Sequence, residues 1–233
     1  MTRVIMISGA NRGIGKAIAL KLYENGFLLS LGIRNPDLVD ADILSLDKTK
    51  VLLSSYNTDN PNAESEWIQK TILKFNKIDG LINNAGIYNL LDIEDDNEEM
   101  LDDMLNVNTK APMRLTRLAL PYLRKSGQGR IINMVSDAAK KVEDSKVGYS
   151  ISKFGFLAAS YAMLHAAKKD GVRVTALCPG FVNTDMAKKY FLSTENLIQP
   201  ETIADIVLML LNLPNTVVIP ELSLDNVEEL NYR

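Results

Sequence analysis

Short apolar runs alternate with longer amphipathic stretches along the 233-residue chain. The first run is 4–8, and six more follow at 27–33, 51–56, 81–86, 131–135, 172–177 and 217–219. Between these runs the apolar residues recur at helical spacing, which predicts strands that alternate with helices. Such an order favours a parallel sheet covered by helices on both faces. The sequence therefore predicts a single-domain, doubly wound α/β fold over residues 1–233, with a mostly parallel seven-stranded sheet.

The amphipathic stretches predict helices between most of the strands, while 35–48, after the second strand, is predicted to be a solvated loop with one helical turn at most. The first helix follows Gly15 and ends at Gly26, and the others are predicted at 64–75, 98–124, 149–169, 184–190 and 201–211. Pro112 and the polar cluster 106–109 interrupt the longest stretch and predict a kink there. An Asn at such a kink is as often a backbone cap as a catalytic group.

Composition excludes several classes of function. The net charge is −3 and no basic stripe with aromatic residues appears, so nucleic acid is not an expected partner. Cys178 is the single cysteine, which rules out an intrachain disulfide and fits a reducing cytoplasm. The chain starts directly in a strand, and no apolar run approaches the ~20 residues that cross a bilayer, so neither a signal peptide nor a membrane is expected. The single histidine, His165, has no Cys or His neighbours at ligand spacing, so no metal is expected.

The first strand runs into a glycine turn that opens the first helix. Gly9, Gly13 and Gly15 follow the pattern G-x-x-x-G-x-G. Small residues at a strand–turn–helix corner let a pyrophosphate approach the backbone N–H groups of the helix N-terminus. The turn predicts a dinucleotide site, although a purely structural glycine turn would read the same way.

Three residues between 131 and 153 have the chemistry to act on a carbonyl. Tyr149 and Lys153 stand four apart on a predicted helix, so phenol and ammonium share one face. A nearby ammonium is expected to lower the phenol pKa from about 10 toward neutrality. Ser136 ends the preceding strand and can offer its hydroxyl to the same substrate oxygen. An ordinary amphipathic Tyr/Lys pair is the alternative.

Polar or glycine-bearing turns follow five of the predicted strands. They are 9–15, Arg34, 83–86, Ser136 and 179–180. Ligands bind doubly wound sheets at the carboxyl ends of the strands, near the switch in strand order. We therefore expect all five turns to meet at one site.

Taken in order, these motifs resemble the short-chain dehydrogenase/reductase family. Residues 8–15 resemble its T-G-x-x-x-G-x-G cofactor loop with Ser8 for Thr, and 83–86 reproduce its N-N-A-G. Asn108 stands in the place of its catalytic asparagine. Ser136, Tyr149 and Lys153 give S…Y-x-x-x-K, and 179–184 resemble its P-G-x-x-x-T turn. The resemblance runs nearly end to end and implies a Rossmann fold.

The resemblance implies reversible hydride transfer between NADP(H) and a carbonyl/alcohol pair. Tyr149 would be the acid/base, Lys153 would bind the nicotinamide ribose and lower the tyrosine pKa, and Ser136 would orient the carbonyl. Asn108 would hold the water that relays protons from Lys153. The expected cofactor contacts are Gly9, Asn11, Arg12, Gly13, Ile14, Gly15, Arg34, Asn57, Asn84, Ala85, Gly86, Tyr149, Lys153, Pro179, Gly180, Val182 and Thr184.

Two features bear on the adenosine half of the cofactor. No acid follows the second strand until Asp37, whereas Arg34 and Arg12 are placed to meet a ribose phosphate, so NADP(H) is expected over NAD(H). The family's adenine-contacting aspartate is replaced by Tyr56; either Asn57 takes that role or the adenine packs differently.

The remaining expectations concern substrate and partners. Lys140 and Lys141 follow Ser136 and either favour an acidic or polyhydroxylated substrate or simply solvate a loop. Apolar residues on the helices at 98–124 and 150–169 predict a homotetramer or homodimer. The short C-terminus, 228–233, predicts a relatively open pocket. Two rival functions remain, a non-catalytic cofactor sensor and an epimerase or dehydratase of the same fold.

Overall fold

A wholly parallel seven-stranded sheet forms the centre of the computed structural model, which describes residues 2–143, 145–188 and 196–226. Its strands stand in the order β3-β2-β1-β4-β5-β6-β7. They are β1 Val4–Ser8, β2 Leu28–Ile33, β3 Val51–Ser55, β4 Gly80–Asn83, β5 Arg130–Met134, β6 Arg173–Pro179 and β7 Glu221–Leu224. The order reverses between β1 and β4, and that reversal opens a crevice at their carboxyl ends.

Helices cover both faces of the sheet. They are α1 Gly13–Glu24, α2 Ala41–Leu44, α3 Ala63–Phe75, α4 Glu98–Leu105, α5 Ala111–Lys125, α6 Val147–Ala167, α7 Asp185–Lys188 and α8 Pro200–Asn212. Side chains of β1 alternate between the faces. Ile5 and Ile7 join a core with α1 and α8, while Met6 joins a second core with α3, α5 and α6. The predicted seven-stranded α/β fold is confirmed.

The last strand is not where the sequence predicted it. The apolar run 217–219 is not a strand, and Val217 and Val218 are 39% and 40% exposed. Pro220 instead accepts a hydrogen bond from the Ala176 amide at 2.9 Å, and pairing with β6 begins at Glu221. The prediction was wrong because a run of β-branched residues indicates a strand only where its backbone finds a partner.

The predicted kink in the long helix is a π turn. Asn106–Lys110 forms one turn of π-helix between α4 and α5. Pro112 is the second residue of α5, directly after this turn, and its missing N–H interrupts the hydrogen bonding of the helix at that point. Of the helix predicted at 184–190, the structure has α7 from Asp185 and a bend at Thr184; 189–190 lie outside the described residues, as do 228–233.

Candidate active site

A cavity of about 910 Å³ lies along the carboxyl ends of the strands. Turns after β1, β2, β4, β5 and β6 all contribute to its wall, as the sequence predicted. The predicted site residues that line it are Gly9, Asn11, Arg12, Gly13, Ile14, Arg34, Asn57, Asn84, Ala85, Gly86, Ser136, Tyr149, Lys153, Pro179, Gly180, Val182 and Thr184. Gly15 and Asn108 stand behind this wall and support it.

The turn between β1 and α1 has the shape of an anion cradle. Gly9 and Gly13 adopt φ values of 68° and 54°, which favour glycine. Arg12, the N-cap of α1, gives no side-chain hydrogen bond to the helix, so no side chain caps its first N–H groups. Such N–H groups bind phosphate.

Close packing explains why Gly15 is glycine although it does not line the cavity. A Cβ there would stand 2.2 Å from the Gly9 carbonyl oxygen and 2.5 Å from Asn84 Nδ2. The Asn84 amide occupies that space because it donates to the carbonyls of Ser8 and Gly9 at 3.0 and 3.2 Å. Asn84 thus fixes the shape of the glycine turn from the end of β4.

Arginines stand at the end of the cavity next to β2. Arg34 is exposed and lines the wall. Arg12 forms an ion pair with Asp185 at 3.6 Å. Asn11 faces the same end, but its side chain ties down the loop after β2, donating to Leu38 O at 2.7 Å. Asp37, the first acid after β2, is exposed and is not part of the wall.

Tyr56 and Asn57 both line the cavity, where the sequence left the adenine contact open. Tyr56 is 5% exposed and packs on Trp67 with ring centroids 5.0 Å apart. Burial raises its pKa, so its phenol stays neutral. Asn57 is half-buried and keeps a polar side chain at the wall. Tyr56 therefore belongs mainly to the core, and Asn57 is the better placed polar contact.

Ser136, Tyr149 and Lys153 meet at the other end of the cavity. The phenol of Tyr149 forms a hydrogen bond with the Ser136 hydroxyl. Lys153 Nζ lies 5.5 Å from the centroid of the Tyr149 ring and donates to Met134 O at 3.1 Å. The three groups that the sequence singled out therefore share one corner.

The pKa of Tyr149 moves against the expectation from the sequence. Burial raises it, and the hydrogen bond with Ser136 opposes burial without overcoming it. Lys153 is the group expected to lower it, but its ammonium lies beside the ring and is hydrogen-bonded to a backbone carbonyl. Burial also lowers the pKa of Lys153 to about 8. The phenol is thus held in its protonated, acid form.

Asn108 is buried in the π turn, 1% exposed. Its Oδ1 accepts from Ile87 N at 2.8 Å, and its Nδ2 donates to Ile87 O at 2.9 Å and to Ser152 Oγ at 3.0 Å. The carboxamide is therefore engaged with the backbone after β4 and with α6. The structure shows it as a clamp between these elements, and a catalytic role for Asn108 stays a prediction.

Sequence reasoning missed two residues of this corner. Tyr88 packs edge-on against Tyr149, with centroids 4.9 Å apart. Asp137 accepts from the Ser136 hydroxyl at 3.0 Å. Its position directly after Ser136 was the available signal, but an acid in a turn is usually solvated.

The two lysines after Ser136 point to different places. Lys140 forms an ion pair with Glu221 on β7 and does not line the cavity. Lys141 lines it and pairs with Asp137 at 2.8 Å. Only Lys141 is in position to affect a substrate.

The family follows from a sequence comparison. The model of the short chain dehydrogenase family matches residues 3–195. The chain belongs to the short-chain dehydrogenase family.

Two relatives match this chain over nearly its whole length. Agropine synthesis reductase of Rhizobium rhizogenes is 36% identical over 220 residues, covering 93% of this chain and 51% of the relative. The chain thus spans about half the length of that relative. An uncharacterised oxidoreductase of Staphylococcus aureus is 32% identical over 225 residues, covering 95% of this chain and 96% of the relative.

Two solved enzyme structures share the fold. An alcohol dehydrogenase from the archaeon Thermococcus sibiricus, complexed with 5-hydroxy-NADP, superposes with a TM-score of 0.88 at 28% identity, covering 97% of both chains. An apo SCOR enzyme from Clostridium thermocellum superposes with a TM-score of 0.86 at 25% identity, covering 100% of this chain and 94% of that one. In the described part of this family member, no helix is both long and apolar enough to span a membrane.

Proposed function

We propose that this chain is an NADP(H)-dependent oxidoreductase that reversibly reduces a ketone or aldehyde to an alcohol. The observation that carries the proposal is a single cavity with the glycine turn near one end and Ser136, Tyr149 and Lys153 near the other. A proton donor, a hydroxyl and a buried ammonium are together suited to a carbonyl oxygen that gains negative charge.

The residues of the wall fit a nicotinamide dinucleotide. Gly9 and Gly13 leave room for a pyrophosphate at the N-terminus of α1, and Arg34 and Arg12 supply guanidinium groups for a ribose phosphate. The family's nicotinamide dependence and the NADP derivative in the Thermococcus enzyme support the same cofactor. When bound, this cofactor supplies or accepts the hydride.

The chain's own groups handle the proton and the charge. Tyr149 gives its phenolic proton to the carbonyl oxygen, and in the reverse direction it takes the alcohol proton back. Lys153, next to the ring, is a cation in a dry site and offsets part of the unfavourable burial of the phenolate left behind, although burial still keeps the phenol pKa raised. Ser136 holds the phenol in place and presents a second hydroxyl to the same corner.

The test begins with a panel of ketones, aldehydes, quinones and keto acids, scored by loss of NADPH absorbance. Tyr149→Phe should lower kcat at least about 100-fold, because the ring still packs but no proton is available. NADPH binding, measured by fluorescence titration, should stay within about threefold, well under the 1.4 kcal/mol that a tenfold change represents. A near-normal kcat for this variant would contradict the mechanism. If no panel member is turned over with NADPH, the proposed activity is wrong.

The proposal also covers assembly and location. Apolar side chains on the outer faces of α5 and α6 are exposed and fit a homodimer or homotetramer. The one cysteine of these 233 residues, Cys178, is a buried free thiol, which suits a reducing cytoplasm.

A further inference from the structure

The hydroxyl of Ser136 has all of its hydrogen-bonding positions filled. A serine hydroxyl has one proton to donate and two lone pairs to accept with. The Ala138 amide donates to Oγ at 3.2 Å. Asp137 Oδ1 lies 3.0 Å away, and since a carboxylate can only accept, the serine proton goes to Asp137. The remaining lone pair is left for Tyr149, so the neutral phenol is the donor in its hydrogen bond with Ser136. When the phenol ionises, the serine proton turns from Asp137 to the phenolate, which is why this hydrogen bond lowers the phenol pKa.

The carboxylate that ends this chain of hydrogen bonds is held in place. Lys141 Nζ lies 2.8 Å from Asp137 Oδ2, while Oδ1 accepts from Ser136. The Asp137 side chain is 14% exposed, against 38% for that of Lys141, so the acid is the inner member of the pair. Both residues line the cavity.

We propose that Asp137, anchored by Lys141, is a positioning residue that fixes the direction of the chain from Tyr149 through Ser136. In this direction Tyr149 keeps its proton and Ser136 is an acceptor. A carbonyl oxygen that enters the corner meets the phenolic proton first, and Ser136 can donate to that oxygen only by releasing Asp137. The inference rests on the proposed function, since it assigns Tyr149 the role of acid.

The charges around Tyr149 determine the direction in which each substitution should shift the phenol pKa. The described titratable groups that face it are Asp137 from the turn after β5, Tyr88 from the segment after β4 and Lys153 from its own helix. Asp137 and Tyr88 raise the phenol pKa. Neutralising Asp137 therefore lowers that pKa. Neutralising Lys141 raises it, because the negative charge of Asp137 then acts on the phenol without its counterion.

The two halves of one ion pair thus predict opposite shifts. The first measurement is the alkaline limb of the pH profile of kcat/KM for carbonyl reduction; Lys153, whose pKa is about 8, also titrates in this limb, so the second readout assigns the shift to the phenol. Asp137→Asn should move this limb to lower pH by roughly one unit. A shift of this size is expected when a charge about one side-chain length from the titrating group is removed from a partly buried site. Lys141→Gln should move it to higher pH. Asp102→Asn on the exposed face of α4 and Lys125→Gln at the end of α5 are matched controls and should leave it in place.

A second readout does not depend on turnover. With ring-labelled tyrosine, the NMR signal that disappears in Tyr149→Phe belongs to Tyr149. Its phenol should begin to ionise at lower pH in Asp137→Asn than in the unmodified protein. If neither the limb nor this signal moves in Asp137→Asn, the proposal is wrong, and shifts of the same sign in both variants also overturn it. If the unmodified protein turns over no carbonyl, the proposed function fails while the NMR signal still decides the role of Asp137. Should Asp137→Asn not fold, the sign of the Lys141→Gln shift decides alone.

Discussion

At the scale of one residue, the burial of Lys153 in the site lowers the stability of the fold. The residue is 5% exposed, and its Nζ donates a hydrogen bond to Met134 O. Taking an ammonium out of water is unfavourable, which is why its pKa falls to about 8. Part of the stability of the protein is therefore given up to keep a cation beside Tyr149.

Lys153→Met should stabilise the protein at neutral pH by roughly 1–3 kcal/mol while removing activity, because methionine fills the space without a charge. The pKa is lower in the folded than in the unfolded state, so the unfolded chain binds more protons between pH 8 and 10.5. Stability of the unmodified protein then rises with pH across that window, and the advantage of the variant fades. Thermal melts at pH 7 and above pH 10 check this, with Lys125→Met as a surface control. A variant that is less stable at pH 7 would contradict it.

Cofactor choice also belongs to single residues. Arg34→Ala should weaken NADPH binding roughly ten- to a hundred-fold, because a hydrogen-bonded charge contact is worth about 1.5–3 kcal/mol. NADH binding should change little. Paired fluorescence titrations measure both, with Arg117→Ala on the exposed face of α5 as control. Equal affinity of the unmodified protein for NADH and NADPH would overturn the expectation and direct attention to Asp37.

Which residues act could be predicted only in part. Ser136, Tyr149 and Lys153 were found because their spacing follows from a strand end and a helical turn. The direction of the Tyr149 pKa was predicted wrongly, since the burial of the phenol and the contact of Lys153 with Met134 depend on the packed structure. Asp137 was missed for the same reason, because a sequence does not tell whether an acid faces water or a neighbouring hydroxyl.

At the scale of elements, the β1–α1 turn and the end of β4 are built as one unit. The Ser8 hydroxyl accepts from the amides of Asn84 and Ala85, both at 3.0 Å, and the Asn84 side chain returns two hydrogen bonds. The pattern of glycines predicted the turn. It could not predict that the amide of Asn84 fills the space that Gly15 leaves.

Gly15→Ala tests this unit. The new methyl group would overlap the Gly9 carbonyl and the Asn84 amide, so the free energy of unfolding should fall by about 1–3 kcal/mol, and cofactor binding should weaken as the turn shifts. Gly155→Ala within α6 is the matched control. There a Cβ meets Thr109 at an ordinary 3.4 Å, and alanine should stabilise the helix by about 0.5–1 kcal/mol. Chemical unfolding measures both, and an unchanged midpoint for Gly15→Ala would contradict the close packing.

The positions of the strands were also predicted only in part. The six strands from β1 to β6 lie near their predicted runs because buried parallel strands are continuous and apolar. β7 is an edge strand with alternating polarity, Glu221–Leu224, and it was misplaced by a few residues onto the more apolar run before it. Its position follows from the partner atoms on β6.

At the scale of the whole molecule, α5 and α6 keep large apolar side chains in water. They are Met113 and Leu118 on α5 and Ile151, Phe154 and Tyr161 on α6, each 38% to 45% exposed. Apolar side chains gathered on neighbouring helices are typical of a contact between subunits.

We expect Phe154→Glu to dissociate the assembly, because a charge buried without a partner costs several kcal/mol. Light scattering should then give the mass of one chain, 25.9 kDa, against a multiple of it for the unmodified protein. Leu73→Glu is the control, since Leu73 is 90% exposed on α3, away from α5 and α6. An unmodified protein that is already 25.9 kDa at micromolar concentration would count decisively against an oligomer.

The reversal of strand order between β1 and β4 also decides when the sheet can be completed. β1 pairs with β2, its neighbour along the chain, but its other edge pairs with residues 80–82, which come much later in the sequence. The bond from the Val4 amide to Asp79 spans 75 residues, and pairings so distant in sequence form slowly. During synthesis the edge of β1 is therefore open until β4 has left the ribosome. An unpaired strand edge is a template for strand addition by another copy, so aggregation during synthesis is the risk that this strand order carries.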